Sequence, residues 1–325
     1  MLAYFFTLLF AVAAQLFPAV SAQYNLFDQS IVFLYKKLAA YAYEQQAVFN
    51  GPNPDSDLSP LNEIQKRGPR MTGLATDLNI SASSCLAIDA GSGNLLYAKD
   101  PERPQPIASI TKLMTSLVFL DRNPGWDKEY VFAESDKRDG GKAYFFPGEH
   151  VKVKDLFFSM LVASDNSAVA ALVHSTGMTE SEFVAQMNDK AKELGLAKSS
   201  FADPTGLNNL NVSTAREVAI FAQLALQTPQ IQEAVLADSY AFTTGEGKKR
   251  TVYSTDKLLS TRGQNVRIEG GKTGYLQSAG YCFVGRFSKD QHQIMTVVLG
   301  AGDINARFTE TKKIVNWVYD NYRWQ

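Results

Sequence analysis

The pattern of apolar and polar positions changes character several times along the 325-residue chain, and each change predicts a different element. The first 27 residues carry no charge, and the mostly apolar run from Met1 breaks at Pro18 and ends in Val20-Ser21-Ala22. That pattern is a secretory signal with a small-residue cleavage site after Ala22. The basic n-region is missing, and the run approaches the ~20 residues that span a bilayer, so an uncleaved anchor is the alternative. Phe27, Ile31, Leu34, Leu38, Tyr41 and Val48 then recur at helical spacing and predict an amphipathic extension. Gly51 to Gly73 holds Pro52, Pro54, Pro60 and Pro69 among Asp, Ser and Asn, and reads as a linker. The organisation is therefore a signal or N-terminal anchor over 1–22, a helical extension and Pro-rich linker over 23–72, and the main folded domain over 73–325.

Within that domain, Ser84 to Ala90 and Asn94 to Ala98 flank Gly91-Ser92-Gly93 and predict a hairpin. A helical block follows, with helices expected over Lys154–Ala163, Asn166–Ser175, Glu180–Leu194 and Ala215–Gln227, and with Gly177 and Gly195 where helices stop. Strand character returns at Ala279 to Phe287 and Gln293 to Leu299, and Phe308, Thr311, Val315, Val318 and Tyr322 mark a last helix. The order strands, helices, strands, helix predicts an α/β chain of the α+β type, an antiparallel sheet built from both ends of the domain with a mainly helical insert.

Composition removes several kinds of chemistry. Thirty-two basic and thirty-three acidic residues give a formal charge of −1, which supplies no electrostatic footprint for nucleic acid. His150, His174 and His292, with Cys85 and Cys282, are not grouped at ligand spacing, so no metal site and no cofactor is expected. After a signal the chain lies outside the cytoplasm, where two cysteines can pair; the simpler reading makes them small core residues on separate strands.

Three short motifs stand in order: Ser109-Ile-Thr-Lys112, Ser164-Asp165-Asn166 and Lys272-Thr273-Gly274. Each is weak alone, since Ser254-Thr-Asp-Lys257 and Ser92-Gly-Asn94 fit two of the same patterns. Order eliminates these, because Ser92 precedes every S-x-x-K and no S-x-N separates Ser254 from the K-T-G. Pro106-Ile-Ala leads Ser109 into the periodic run Leu113, Met114, Leu117, Val118, so the serine is placed at a helix start with Lys112 on its face. A serine needs a base, and no histidine is at hand. A lysine serves if its amine is neutral, which burial beside a second cation such as Lys272 favours.

This constellation resembles the penicillin-recognising serine peptidases, most closely the D-alanyl-D-alanine carboxypeptidases among the low-molecular-mass penicillin-binding proteins. Pro147-Gly148-Glu149, Phe201 to Leu207, Ser213 to Glu217 and Gly270-Gly271 share the likeness, which runs from about Ser83 to Asn321. The resemblance implies a β-lactamase/transpeptidase-like fold and a serine peptidase acting through an acyl-enzyme on peptidoglycan stem peptides ending in D-Ala-D-Ala. β-Lactams would be its inhibitors and cell-wall maturation and cell shape its setting, with no cofactor, an extracytoplasmic location and N-terminal membrane attachment left open. It makes Ser109 the nucleophile, Lys112 its base, Ser164 the proton relay to the leaving amine and Asn166 the holder of the substrate amide. Lys272 would tune the charge, Thr273 would meet the substrate carboxylate, and Gly274 would keep the strand clear. The N–H groups of Ser109 and Tyr275 would form the oxyanion hole, and Arg307 would bind the carboxylate.

Three rivals stand beside a carboxypeptidase. One is an endopeptidase acting on cross-links. Another is a serine β-lactamase, which in its class A form adds a water-directing glutamate in E-x-x-L-N; here the stretch reads Asp203-Pro-Thr-Gly-Leu-Asn208. The last is a cell-wall binding protein without turnover, disfavoured by the complete set of motif side chains.

Overall fold

Long runs rich in Val, Ile, Phe and Gly near the end of the chain pair with a hairpin from its beginning. The structure is a computed structural model that describes residues 68–73, 78–261 and 265–324. The signal and the 27–48 helix lie outside the described residues. Strands β1 (Ser84–Asp89), β2 (Leu95–Lys99), β3 (Arg267–Leu276), β4 (Gly280–Lys289) and β5 (His292–Ala301) form one antiparallel sheet in the order β3-β4-β5-β1-β2. Both ends of the domain thus build one sheet, as the order of elements requires. The strand carrying Lys272, Thr273 and Gly274 is an edge.

The sheet is buried on both faces, which is why β1 reads as an unbroken run, SCLAID, rather than an alternation. Cys85 and Ala87 face a core shared with Phe308, Ile314, Val315 and Val318 of the last helix, α7 (Ala306–Asn321). Leu86 and Ile88 point the other way, into the core of the helical insert. The cysteines are free and buried, on β1 and β4.

The insert contains α1 (Thr111–Leu120), α2 (Val153–Val162), α3 (Asn166–Ser175), α4 (Glu180–Glu193), α5 (Ala215–Gln227) and α6 (Pro229–Val235). Local chemistry sets their ends. Asp165 accepts hydrogen bonds from the N–H groups of Ser167 and Ala168 at 2.8 and 3.0 Å and starts α3. Thr179 and Glu182 bond reciprocally at the start of α4, and Gly177 and Gly195 stop α3 and α4 at φ +83° and +71°. The expected helices therefore stand within a residue or two of their predicted bounds.

Three parts of the chain depart from expectation. The helical block also holds two antiparallel ribbons, Glu129–Val131 with His150–Lys152 and Ser239–Thr243 with Lys249–Tyr253, and the helix α6. Their strands have three to five residues, too short for a period to register. Arg70–Met71, read as linker, pairs with Tyr322–Arg323. Ser109 lies in a short 3₁₀ turn, Ala108–Ile110, immediately ahead of α1 rather than in the helix itself.

Candidate active site

The turn carrying Ser109 lies against the edge strand β3. A Cβ on Gly274 would come within 2.9 Å of the Ile107 carbonyl and 3.3 Å of the Ser109 nitrogen, so only glycine lets the strand pass this close. Gly206 works in the same way from the other side: at φ +87°, its missing Cβ would sit 2.2 Å from the Ala108 carbonyl oxygen. The chain around Ser109 is itself held in uncommon conformations, with Ala108 at φ +48° and Ser164 at φ +59°. Left-handed backbone in non-glycine residues costs roughly 1–3 kcal/mol and persists where surrounding structure enforces it.

Lys112 is fully buried and donates to three oxygens: the Ser109 hydroxyl at 2.9 Å, the Asn166 side-chain carbonyl at 2.7 Å and the Thr205 backbone carbonyl at 2.6 Å. All three partners are uncharged. Burial therefore lowers its amine from 10.5 to about 7, while the carboxylates of Asp165 and Asp203 pull the other way. Lys272, 1% exposed, donates to the Ser164 hydroxyl at 2.8 Å and to the Thr273 carbonyl at 3.1 Å. Burial, and next the positive charges of Lys112 and Arg307, hold it well below its ordinary range; Asp256 opposes them. Burial is the first cause of the fall at both amines, and repulsion between the two ammonium groups is mutual, so each disfavours the charged form of the other.

Asn166 starts α3 and turns its amide nitrogen to the carbonyls of Asp139 and Gly140 at 2.9 and 3.3 Å. This fixes which end of the amide faces Lys112. Arg307 is buried, with its guanidinium over the rings of Phe308 and Tyr281 and a hydrogen bond to the Gly274 carbonyl at 3.1 Å. That hydrogen bond goes to the backbone of β3, which Arg307 braces. Tyr275 is half exposed and stacks on Tyr281.

The sequence singled out Phe201 to Leu207 without giving it a task. The structure supplies one: this loop presents the Thr205 carbonyl to Lys112. Asp203 holds the loop in shape by accepting from the N–H groups of Thr205, Gly206 and Asn208 and from the Thr205 hydroxyl. Asn211, fully buried, accepts from the N–H groups of Ala202 and Asp203 and donates to the Asp203 carbonyl and to the Thr111 hydroxyl beside Lys112. Thr255 was also missed; its hydroxyl lies 2.6 Å from that of Thr273. A turn rich in Asp, Asn and Gly signals a self-bonded loop in general terms, but no spacing in the sequence shows which lysine its carbonyl meets. Among the described residues no group of His, Cys, Asp and Glu is arranged to hold a metal ion.

Such a fold and site define a class, the serine DD-peptidases of penicillin-binding type. A family model described as D-alanyl-D-alanine carboxypeptidase matches residues 71–303. The chain belongs to that family, and it is a serine peptidase. It is 28% identical over 270 residues to a D-alanyl-D-alanine endopeptidase of Pseudomonas aeruginosa, covering 80% of this chain and 84% of the relative. The D-alanyl-D-alanine carboxypeptidase DacF of Bacillus subtilis is 29% identical, with 81% of this chain and 68% of that protein covered. The Streptomyces K15 DD-transpeptidase crystal structure superposes with a TM-score of 0.71 at 26% identity, over 76% of this chain and 100% of that one.

Proposed function

We propose that Ser109 attacks the carbonyl of the penultimate D-alanine of a peptidoglycan stem peptide and that Lys112 takes its proton. One observation carries this reading: the three partners of the Lys112 amine. A neutral amine has two N–H bonds and one lone pair, and the carbonyl oxygens of Asn166 and Thr205 can only accept. They take both N–H bonds. The lone pair is left facing Ser109, the one partner with a proton to give. The attacked carbonyl then leans on the N–H groups of Ser109 and Tyr275, which stabilise the oxygen as charge develops on it.

Ser164, bonded to Lys272, passes a proton to the departing D-alanine, and water resolves the acyl-enzyme. The terminal carboxylate of the substrate meets Thr273 and the cationic side of the site supplied by Lys272 and Arg307. A carboxylate beside Lys272 favours its ammonium form and so opposes the effect of burial there. Carboxypeptidase action is the main activity in this reading. The endopeptidase reading stands second because a D-alanyl-D-alanine endopeptidase is among the similar proteins. Both act outside the cytoplasm, after delivery by a signal or an anchor within residues 1–22.

Against a β-lactamase stands the state of the loop that replaces E-x-x-L-N: both oxygens of Asp203 are taken up by N–H and O–H groups of its own loop. No spare carboxylate oxygen there directs a water at the ester. Benzylpenicillin should therefore give a single, persistent adduct on Ser109 in intact-mass spectra, absent from Ser109→Ala. Mass spectrometry of products from a pentapeptide muropeptide should show loss of one D-alanine, and a cross-linked dimer reports the endopeptidase arm. Rapid repeated hydrolysis of penicillin without peptide cleavage would replace the peptidase with the β-lactamase.

A further inference from the structure

One buried amide joins the segments that meet at Lys112. Asn211 is fully buried at the end of the loop that carries Thr205, one residue before the short strand Val212–Ser213. That strand pairs with Gln105–Pro106, which leads into the Ser109 turn, and the Asn211 backbone carbonyl accepts from the Ile107 N–H at 3.0 Å. The side-chain oxygen accepts from the N–H groups of Ala202 and Asp203 at 2.6 and 3.1 Å. The side-chain nitrogen donates to the Asp203 carbonyl at 2.9 Å and to the Thr111 hydroxyl at 3.2 Å. An amide offers two N–H donors and an oxygen with two lone pairs, so all four places are filled. Asn211 thus ties the loop both to the turn that carries Ser109 and to the residue before Lys112. Thr115, one turn along α1, adds a second tie by donating to the Pro204 carbonyl at 2.6 Å. The next carbonyl, that of Thr205, stands 2.6 Å from the Lys112 amine.

We propose that Asn211 is a positioning residue for acylation: it holds the Thr205 carbonyl where it takes one N–H of the Lys112 amine, so that the lone pair points at Ser109. This inference rests on the reading just given, in which Lys112 takes the serine proton. None of the Asn211 hydrogen bonds goes to Ser109 or Lys112, so it acts through the loop. Asp203 has a different task, because its carboxylate bonds stay within the loop and fix its shape rather than its place. Place against α1 falls to Asn211 and Thr115. A carbonyl displaced by about 1 Å frees the amine to turn, and misplacement on that scale costs roughly 10²-fold in rate. It also takes an acceptor from the ammonium form, which is then harder to hold. The charges that face Lys112 are Asp165 ahead of α3, Asp203 in the loop and Lys272 on β3. Asn211→Ala alters none of them, and withdrawal of Asp203 with the loop acts in the same direction as loss of the carbonyl.

The test is single-turnover acylation of the full chain by benzylpenicillin, followed over pH and over drug concentration so that the limiting rate separates from the drug's apparent affinity. Asn211→Ala should lower the limiting rate by about 10–100-fold and leave the half-saturating concentration within about 2-fold. Its pH midpoint should fall below that of the natural chain by about 0.5–1, because the ammonium form has lost an acceptor. Thr111→Val keeps the shape and removes only the acceptor that the Asn211 amide finds on α1. It should act in the same direction on a smaller scale, about 2–10-fold in the limiting rate, and it decides the matter where Asn211→Ala does not fold. Thr111→Ser keeps the hydroxyl and should restore the natural rate. An unchanged limiting rate in the folded variants would overturn the proposal. So would a lowered rate with the midpoint left in place, since an amide that only stabilises the fold changes the melting temperature and not the midpoint. A natural chain that shows no midpoint near 7, while penicillin still labels Ser109, would instead overturn the Lys112 reading beneath it.

Discussion

Two groups of buried charge lie in the helical part and its border with the sheet, and they are built in opposite ways. Glu149, 3% exposed, is gripped by both terminal nitrogens of Arg250 at 2.5 and 2.6 Å, by Lys248 at 3.0 Å and by the Phe146 N–H at 3.0 Å. The Arg250 guanidinium, foremost among these, holds its carboxyl down at about 2. Lys112 and Lys272 are buried as deeply and hold only hydroxyl, amide and peptide oxygens. A compensated charge keeps one protonation state across the neutral range and fastens structure. An amine hydrogen-bonded only to neutral groups is pushed down, and Lys112, at about 7, sits near the point where it changes state, which is what a base requires. The first group ties the 239–253 ribbon to the segment before α2, and that ribbon leads into Thr255 at the wall of the site.

The sharpest way to break the comparison is to remove one member from each group. Lys112→Met should lower the rate of benzylpenicillin acylation by roughly 10²–10⁴, the contribution of a positioned base. Its melting temperature should hold or rise, because the amine it deletes is buried with only neutral groups as hydrogen-bond partners. A variant that acylates near normally would show that another group takes the proton from Ser109.

Glu149→Gln should do the reverse. It keeps the shape but leaves the Arg250 guanidinium short of its charge-assisted bonds, at a cost of about 1.5–3 kcal/mol in denaturant unfolding. Acylation measured well below the melting point should change little. A variant with unchanged stability but lost acylation would move Glu149 from the scaffold to the chemistry.

The two groups should also separate on pH. If Lys112 is the base it must be deprotonated, so acylation should rise as pH climbs through about 7 and level off above it. Glu149 has a folded value below its ordinary 4.5, so its contribution to stability is complete above that value and is lost as pH falls toward about 2. Fluorescence-monitored unfolding and acylation rates over the same buffers should therefore give midpoints several pH units apart. A common midpoint would mean that the activity profile reports unfolding rather than the base.

The Lys112 group was largely legible in the sequence, and the Glu149 group was not. Ser109 and Lys112 share a helical turn's spacing, and the order of the motifs brings Ser164, Asn166 and Lys272 to them. Glu149 was seen only as part of Pro-Gly-Glu, because its partners come from a ribbon about a hundred residues on, whose five-residue strands left no period. The same holds at the site itself. Thr205 reaches Lys112 through a backbone carbonyl, and a carbonyl leaves no mark in a sequence. The sheet and major helices were readable because each buries a long stripe; edges, ribbons and loops are fixed by single contacts.

The smallest effect concerns the hydroxyl pair of Thr255 and Thr273, which lies beside the lysines without sharing their charge. Thr255→Val keeps the shape and removes one hydroxyl from a 2.6 Å contact, freeing Thr273 from its present partner. If Thr273 meets the substrate carboxylate, the partner's role is to orient its hydroxyl. Losing that orientation should cost about 0.5–1.5 kcal/mol, or roughly 2–10-fold in kcat/KM for D-alanine release, and mostly in KM. The pH midpoint near 7 should stay where it is, because burial of Lys112 sets it and a neutral hydroxyl does not. A shifted midpoint with unaltered KM would place Thr255 in the proton network of the two lysines instead, and the boundary drawn between charge and hydroxyl in this site would have to move.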